Sequence, residues 1–177
     1  MAVFESIRNF FVQPVPFEPE IIVPAPLTTY SIKPLTSKQS KEVLRLNLRC
    51  FRNGENYTRH TFAYLFGEPN TLSYQIVTAS GEMAGFVFVI KNPDGAAHLT
   101  TIGVAPEHRR RGLAIQLLTH VEDVLSEKGV STIVLEVRIG NLTAKELYIS
   151  AGYAAVNRLA KYYSDGEDCF MMVKSLI

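Results

Sequence analysis

Cysteine is nearly missing from the 177-residue chain, with Cys50 and Cys169 its only two thiols. That is too few for a disulfide framework and the wrong pattern for a zinc site. They read as reduced thiols, and no metal is expected. Long hydrophobic runs are missing as well, because no window reaches the roughly 18 uninterrupted apolar residues of a membrane span. Met1 to Val12 is apolar but broken by Glu5, Arg8 and Asn9. It has neither a basic start nor a clean apolar centre, so no secretory signal is read and a cytoplasmic location is expected. Nor is there an excess of one charge, with Lys and Arg totalling 18 against 17 for Asp and Glu. Proteins held to nucleic acid by phosphate neutralisation normally carry a strong basic excess, so no nucleic-acid partner is expected. Two common phosphate signatures, GxxxxGK[ST] and GxGxxG, are absent too.

What is present is a globular balance, 47% apolar and 20% charged. Its length suits one α/β domain and is short for two. Residues 1–29 stand apart as an N-terminal arm. Val3, Phe4, Ile7, Phe10 and Phe11 fall on one face of a short helix. Pro14, Pro16, Pro19, Pro24 and Pro26 then impose an extended path. Such an arm packs on its own domain or a second copy, or else it anchors to a partner or a membrane surface. The small basic charge on its polar face favours packing. The sequence leaves monomer and homodimer open.

From residue 30 onward the elements are readable. Tyr30–Lys33 suits a strand, and Thr36 with Gln39 forms a capping box. The helix it opens runs to about Cys50, with Val43, Leu44, Leu46 and Leu48 expected on its buried side. Thr58–Phe66 is a second helix, stopped by Gly67 and Pro69. Leu72–Ala79 and Met83–Ile90 flank the hairpin signal Ser80-Gly81-Glu82, and Asn92-Pro93-Asp94-Gly95 turns into a strand from Ala97 to Val104. Leu113, Leu117, Leu118, Val121, Val124 and Leu125 mark a helix that Gly129 ends. Thr132–Val137 reads as a near-continuous apolar strand, expected to be covered on both faces. Asn141 caps a shorter helix closing at Gly152. Tyr153–Ala160 and Cys169–Val173 then pair around the loop Tyr162–Asp168. The order predicts a mixed α/β (α+β) sheet of about seven strands with helices on both faces.

Between Val104 and Ile115 a strand ends and a helix begins at Gly112. The free amides of a helix's first turn carry partial positive charge. Gly112 and the small Ala114 let a phosphate approach them, and Arg109, Arg110 and Arg111 add charge at the same end. A solvated basic run explains the arginines equally well in isolation. However, cations are disfavoured at a helix start unless an anion is bound.

Arg109-x-x-Gly112-x-Ala114, following Ile102-Gly103-Val104, is similar to the acetyl-CoA signature Q/R-x-x-G-x-G/A of the GNAT superfamily of N-acetyltransferases. Leu135-Glu136-Val137-Arg138, Asn141, Leu147-Tyr148 and Gly152-Tyr153 resemble its RimI-type branch. The segment Tyr162–Asp168 resembles a loop of that branch and of archaeal protein N-terminal acetyltransferases. Glu55-Asn56-Tyr57 resembles the archaeal substrate loop. The resemblance covers roughly residues 30–177. It departs from the commonest pattern where Ala114 stands in for a glycine.

The resemblance implies a GNAT fold with a splayed central parallel strand pair and acetyl-CoA in the gap. Ile102, Gly103 and Val104 would bond the pantetheine through their backbones. Arg109, Arg110, Arg111, Gly112, Leu113, Ala114 and Ile115 would hold the pyrophosphate, and Asn141 would bond the cofactor from the next helix. Glu136 would be the base and Tyr148 the acid for the thiolate, with His98 a second candidate base. Glu55, Tyr57, Tyr162 and Tyr163 would wall the entrance for a protein N-terminus. On pattern alone, Glu136 is equally an outward strand residue paired with an arginine such as Arg138. A histidine beside the turn residue Gly95 is more often polar surface, Tyr148 reads as a half-buried helix tyrosine, and Tyr57, Tyr162 and Tyr163 are equally core. Neither cysteine matches an acyl-carrier position, so direct attack is expected.

Overall fold

The computed structural model describes residues 21–51 and 56–177. The helical face expected at Val3–Phe11 and the candidate Glu55 lie outside them. Seven strands form one sheet in the order β1-β2-β3-β4-β5-β7-β6. They are β1 (Tyr30–Pro34), β2 (Thr71–Thr78), β3 (Met83–Lys91), β4 (Ala96–Val104), β5 (Thr132–Arg138), β6 (Ala154–Leu159) and β7 (Cys169–Ser175). The helices are α1 (Ser40–Cys50), α2 (Arg59–Gly67), α3 (Leu113–Glu127) and α4 (Leu142–Ser150). All neighbouring strands run antiparallel except β4 and β5.

Each face of the sheet has its own core. On one, α3 and α4 bury Leu117, Val121, Leu125 and Tyr148 against Ile76, Val87, Leu99, Ile133 and Leu135. On the other, Val43 and Leu46 of α1 and Phe62 and Leu65 of α2 meet Phe86 and Phe88. Removing a leucine-sized side chain from either core would cost about 2–5 kcal/mol.

Two expectations change. Leu48 is exposed, because the buried stripe of α1 is Val43, Leu46 and Asn47 at helical spacing. And β5 is not covered on both faces: burial alternates along it, with Ile133, Leu135 and Val137 buried and the residues between them partly open. The helix layer accounts for this, since α1 and α2 lie mainly over β2, β3 and β4 and the second face of β5 meets side chains such as His98 instead.

Strands β4 and β5 pair only at Ala96–Thr132, Ala97–Ile133 and His98–Val134. Beyond His98 they separate, so the backbone of Leu99–Val104 faces a gap. A register shift where Phe88 opposes Thr101 and Val89 opposes Leu99 leaves Thr100 as an extra residue, a bulge that re-aims its neighbours. Residues 21–29 form no regular element. They are held by backbone contacts, including Ala25 N–H donating to the Glu107 carbonyl at 3.0 Å.

Candidate active site

The splay opens a cleft of about 800 Å³ that runs from the start of α3, past β4, to the β6–β7 loop. At one end, Gly112 begins α3 in the left-handed region (φ 72°), and no side chain caps the helix. The first-turn amides are therefore free for an anion. Arg110 is left-handed too (φ 61°), an uncommon state for a residue with a Cβ. Arg109, Arg110, Gly112, Leu113, Ala114 and Ile115 line this end, with Ile102, Gly103 and Val104 along the strand. Gly103 is fixed by packing, because a Cβ there would lie 2.9 Å from the Phe86 ring and 3.1 Å from the Cys50 sulfur.

The three arginines part ways. Arg109 Nε donates to the Val104 carbonyl at 3.2 Å, and its Nη2 donates to the Cys50 carbonyl at 3.4 Å. Arg110 is exposed and makes no hydrogen bond or ion pair among the described residues, so its guanidinium is available to a phosphate. Arg111 does not line the cleft. Its Nη1 donates to the Pro26 carbonyl at 3.0 Å and the Tyr30 hydroxyl at 2.6 Å, while Nη2 donates to the Ala25 carbonyl. The sequence expected Arg111 on the pyrophosphate; its side chain instead reaches back to the arm, whose carbonyls already compensate its charge.

Asn141 sits at the mouth of the gap and caps α4, its Oδ1 accepting from the Ala144 amide at 3.1 Å. Cys50 also lines the cleft, its thiol donating to the Val104 carbonyl at 3.3 Å. Burial pushes that thiol up to about 11, so it stays protonated near neutral pH and offers no nucleophile.

At the other end, His98 Nε2 meets Glu136 Oε2 at 2.8 Å, with both side chains only 7% exposed. The alternative partner, Arg138, is engaged elsewhere. The second Glu136 oxygen, Oε1, is buried with no hydrogen-bond partner among the described residues, an expensive state unless a donor arrives. The Thr100 hydroxyl lies 3.4 Å from His98 Nδ1. Tyr57 donates through its hydroxyl to the Thr100 carbonyl at 3.0 Å, and Asn47 Nδ2 donates to the Tyr57 carbonyl at 3.3 Å. Tyr57 is thus a buried, tethered wall. Burial drives its phenol pKa upward, and that of Tyr148 likewise. Tyr148 is 7% exposed and lines the cleft from α4, edge-on to Tyr153 at 5.7 Å.

The β6–β7 loop completes this end. Arg138 stacks 3.9 Å above the Tyr163 ring. Its Nη1 donates to Asp165 at 2.7 Å and to Glu167 at 2.6 Å, while the Gly140 amide donates to Glu167 at 2.7 Å. Tyr162 and Tyr163 pack edge-on at 5.1 Å and line the cleft. Sequence reasoning missed Asn47, Thr100 and the anchoring role of Arg138. Asn47 alone left a trace, as a polar residue on the apolar stripe of α1.

A cleft with free helix-terminal amides at one end and a buried carboxylate and phenol at the other suits a particular class of protein. It belongs to group-transfer enzymes that draw an acyl group from a phosphate-bearing carrier. The acetyltransferase (GNAT) family model matches residues 40–153, and the chain belongs to that family. It is therefore an acetyl-CoA-dependent N-acetyltransferase. It is 39% identical to the [ribosomal protein bS18]-alanine N-acetyltransferase of Escherichia coli K12 over 119 residues, 66% of this chain and 78% of that protein. The crystal structure of the ribosomal-protein-S18-alanine N-acetyltransferase from Escherichia coli superposes with a TM-score of 0.76 at 30% identity, covering 84% of this chain and 94% of the other. Ard1 from Thermoplasma volcanium shares the fold, with a TM-score of 0.76 at 23% identity over 84% of this chain and 98% of its own. Among the described residues no helix is long and apolar enough to cross a membrane.

Proposed function

We propose that the enzyme acetylates the N-terminal α-amine of a protein, in the cytoplasm, with Glu136 as proton acceptor and Tyr148 as proton donor. The observation that carries the reading is the unpartnered Glu136 Oε1, buried beside His98 in a cleft walled by tyrosines. The similarity to an enzyme named for a ribosomal-protein alanine supports the same substrate class.

Attack on a thioester needs a neutral amine, a stabilised oxyanion and a proton for the departing sulfur. An α-amine with a pKa of about 7.7–8.0 is substantially neutral at working pH, whereas a lysine near 10.4 is almost wholly charged. One carboxylate therefore suffices for a terminus, while lysine would ask roughly 4 kcal/mol more. Glu136 Oε1 takes the amine proton, directly or through a water, and His98 holds Oε2 and shares the charge. Tyr148 remains protonated because burial raises its pKa, so it holds a proton for the sulfur. Arg110 and the amides of residues 112–115 hold the pyrophosphate, the backbone of Ile102–Val104 bonds the pantetheine, and Asn141 borders it. Tyr57, Tyr162 and Tyr163 flank the incoming chain.

The test is a peptide library incubated with acetyl-CoA, the acetylated termini being read by mass spectrometry. Modification of α-amines across the library supports the reading. Acetylated lysine side chains or free polyamines, with untouched termini, would overturn it.

A further inference from the structure

Three consecutive arginines stand before α3, and the middle one holds the energetically awkward backbone, at φ 61°. A non-glycine residue stays in the left-handed region only where its surroundings over-determine it. Here both flanks are fastened in different directions. Arg109 is tied to the Val104 and Cys50 carbonyls. Arg111 is tied to the Ala25 and Pro26 carbonyls and to the Tyr30 hydroxyl. The Tyr30 oxygen, accepting from Arg111, also shares a hydrogen bond with Nδ1 of the buried His108 at 3.0 Å. His108 ends the 3-10 turn Pro106–His108 that leads into the loop. That turn is gripped twice more: the Ala25 amide bonds the Glu107 carbonyl at 3.0 Å, and Arg49 forks onto the Glu107 carboxylate at 2.8 and 2.9 Å.

The arm contributes backbone rather than side chains to this assembly. Ile21, Val23 and Leu27 are 89%, 72% and 94% exposed, so apolar burial does not explain why the segment lies there. What it offers the loop is carbonyls at Ala25 and Pro26 and an amide at Ala25.

We propose that residues 25–30 form a strap which, through Arg111 and Tyr30, holds the loop at Arg110–Gly112 in its anion-binding conformation before acetyl-CoA arrives. Arg111 and Tyr30 are then positioning residues for cofactor affinity, and Arg111 touches no phosphate. Preorganisation raises affinity by removing an ordering cost from the binding step, so the strap acts on acetyl-CoA binding and leaves the chemical step alone. All of this presupposes that the loop takes the pyrophosphate, as proposed above.

The full-length chain and its Tyr30→Phe, Arg111→Ala, Arg111→Lys and double Tyr30→Phe/Arg111→Ala variants would be titrated calorimetrically with CoA, with rates measured against acetyl-CoA at saturating peptide. Tyr30→Phe should weaken CoA binding about threefold and Arg111→Ala about tenfold, with kcat unchanged. Arg111→Lys should recover part of the loss. The double variant should lose less than the two single losses combined, because both substitutions cut the Arg111–Tyr30 bond. The dependence of CoA affinity on salt should persist in Arg111→Ala, since no phosphate contact is removed. Unchanged affinity in both single variants, additive losses, a flattened salt dependence, or a fall in kcat alone would each overturn the strap. If Arg111→Ala does not fold, Tyr30→Phe decides, since it removes one hydroxyl and keeps the ring. Absence of CoA binding by the unaltered chain would instead overturn the reading of the loop itself.

Discussion

At the end of the cleft proposed for the phosphates, the lining comes chiefly from one contiguous stretch, Ile102 to Ile115, and offers mostly backbone. At the end proposed for the amine it comes from side chains that meet only after folding: Tyr57 after α1, His98 on β4, Glu136 on β5, Tyr148 on α4, and Tyr162 and Tyr163 on the β6–β7 loop. The contrast teaches how each end should fail. A backbone site tolerates side-chain changes but not changes of conformation. A side-chain site loses function atom by atom. Substitutions at the two ends should therefore separate into effects on acetyl-CoA affinity and effects on turnover.

The largest effect is expected at Glu136. Glu136→Gln keeps the shape and a contact with His98 but removes the proton acceptor, so kcat should fall about 10²–10⁴-fold, the usual range for a general base. CoA affinity measured calorimetrically should be unchanged. A variant with full turnover would take Glu136 out of the mechanism and break the contrast at its strongest point. Tyr148→Phe comes next, with a loss of about 10²-fold in kcat, because the phenol is the only proton donor assigned to the sulfur. Its ring packs against Tyr153, so the melting temperature should hold while single-turnover rates fall.

Gly112→Val tests the other end. At φ 72° a β-branched residue costs roughly 1–2 kcal/mol, and no neighbour lies within 4 Å of the added Cβ. The effect is thus conformational and not a clash. The KM for acetyl-CoA should rise about tenfold with kcat at saturation little changed. A fall in kcat alone would show that the two ends do not divide their work as described.

The same contrast decides what could be read from the sequence. The loop could be singled out because its signal is local: a strand, a run of arginines, and a glycine at a helix start. The element order was legible from periodicity and turn residues. The His98–Glu136 pair was not, since it depends on the parallel register that sets His98 beside Val134 and on the splay beyond. Likewise the alternation in β5 was hidden, because Val134 is as apolar as its covered neighbours and only the reach of α1 and α2 leaves its face open. Nor could three adjacent arginines be told apart, although the fold sends Arg109 to carbonyls at the ends of β4 and α1, Arg110 to the cleft and Arg111 to the arm.

The smallest predicted effect sharpens the contrast most, because it concerns geometry at the amine end without touching chemistry. Arg138 anchors the loop carrying Tyr162 and Tyr163 through Asp165 and Glu167. The Arg138 hydrogen bond and then the Gly140 amide hold Glu167 below the usual carboxylate range. For Asp165 the Glu167 amide does so first, against the opposing effect of desolvation, and the Arg138 hydrogen bond and charge add to the lowering. Both carboxylates therefore have depressed values in the folded protein. The anchor is complete above the ordinary carboxylate range of about 4 and is lost as pH falls through the lowered values. Arg138→Ala should raise the peptide KM severalfold at neutral pH, with kcat and CoA affinity nearly intact, because solvent-screened pairs hold a loop only weakly. The ratio of variant to unaltered KM cancels the titration of the peptide amine, and it should fall toward one in acid, where the unaltered loop has lost the same anchor. A ratio constant across pH would mean that Arg138 acts on Tyr163 by stacking alone, and that the acidic residues of the loop serve another purpose.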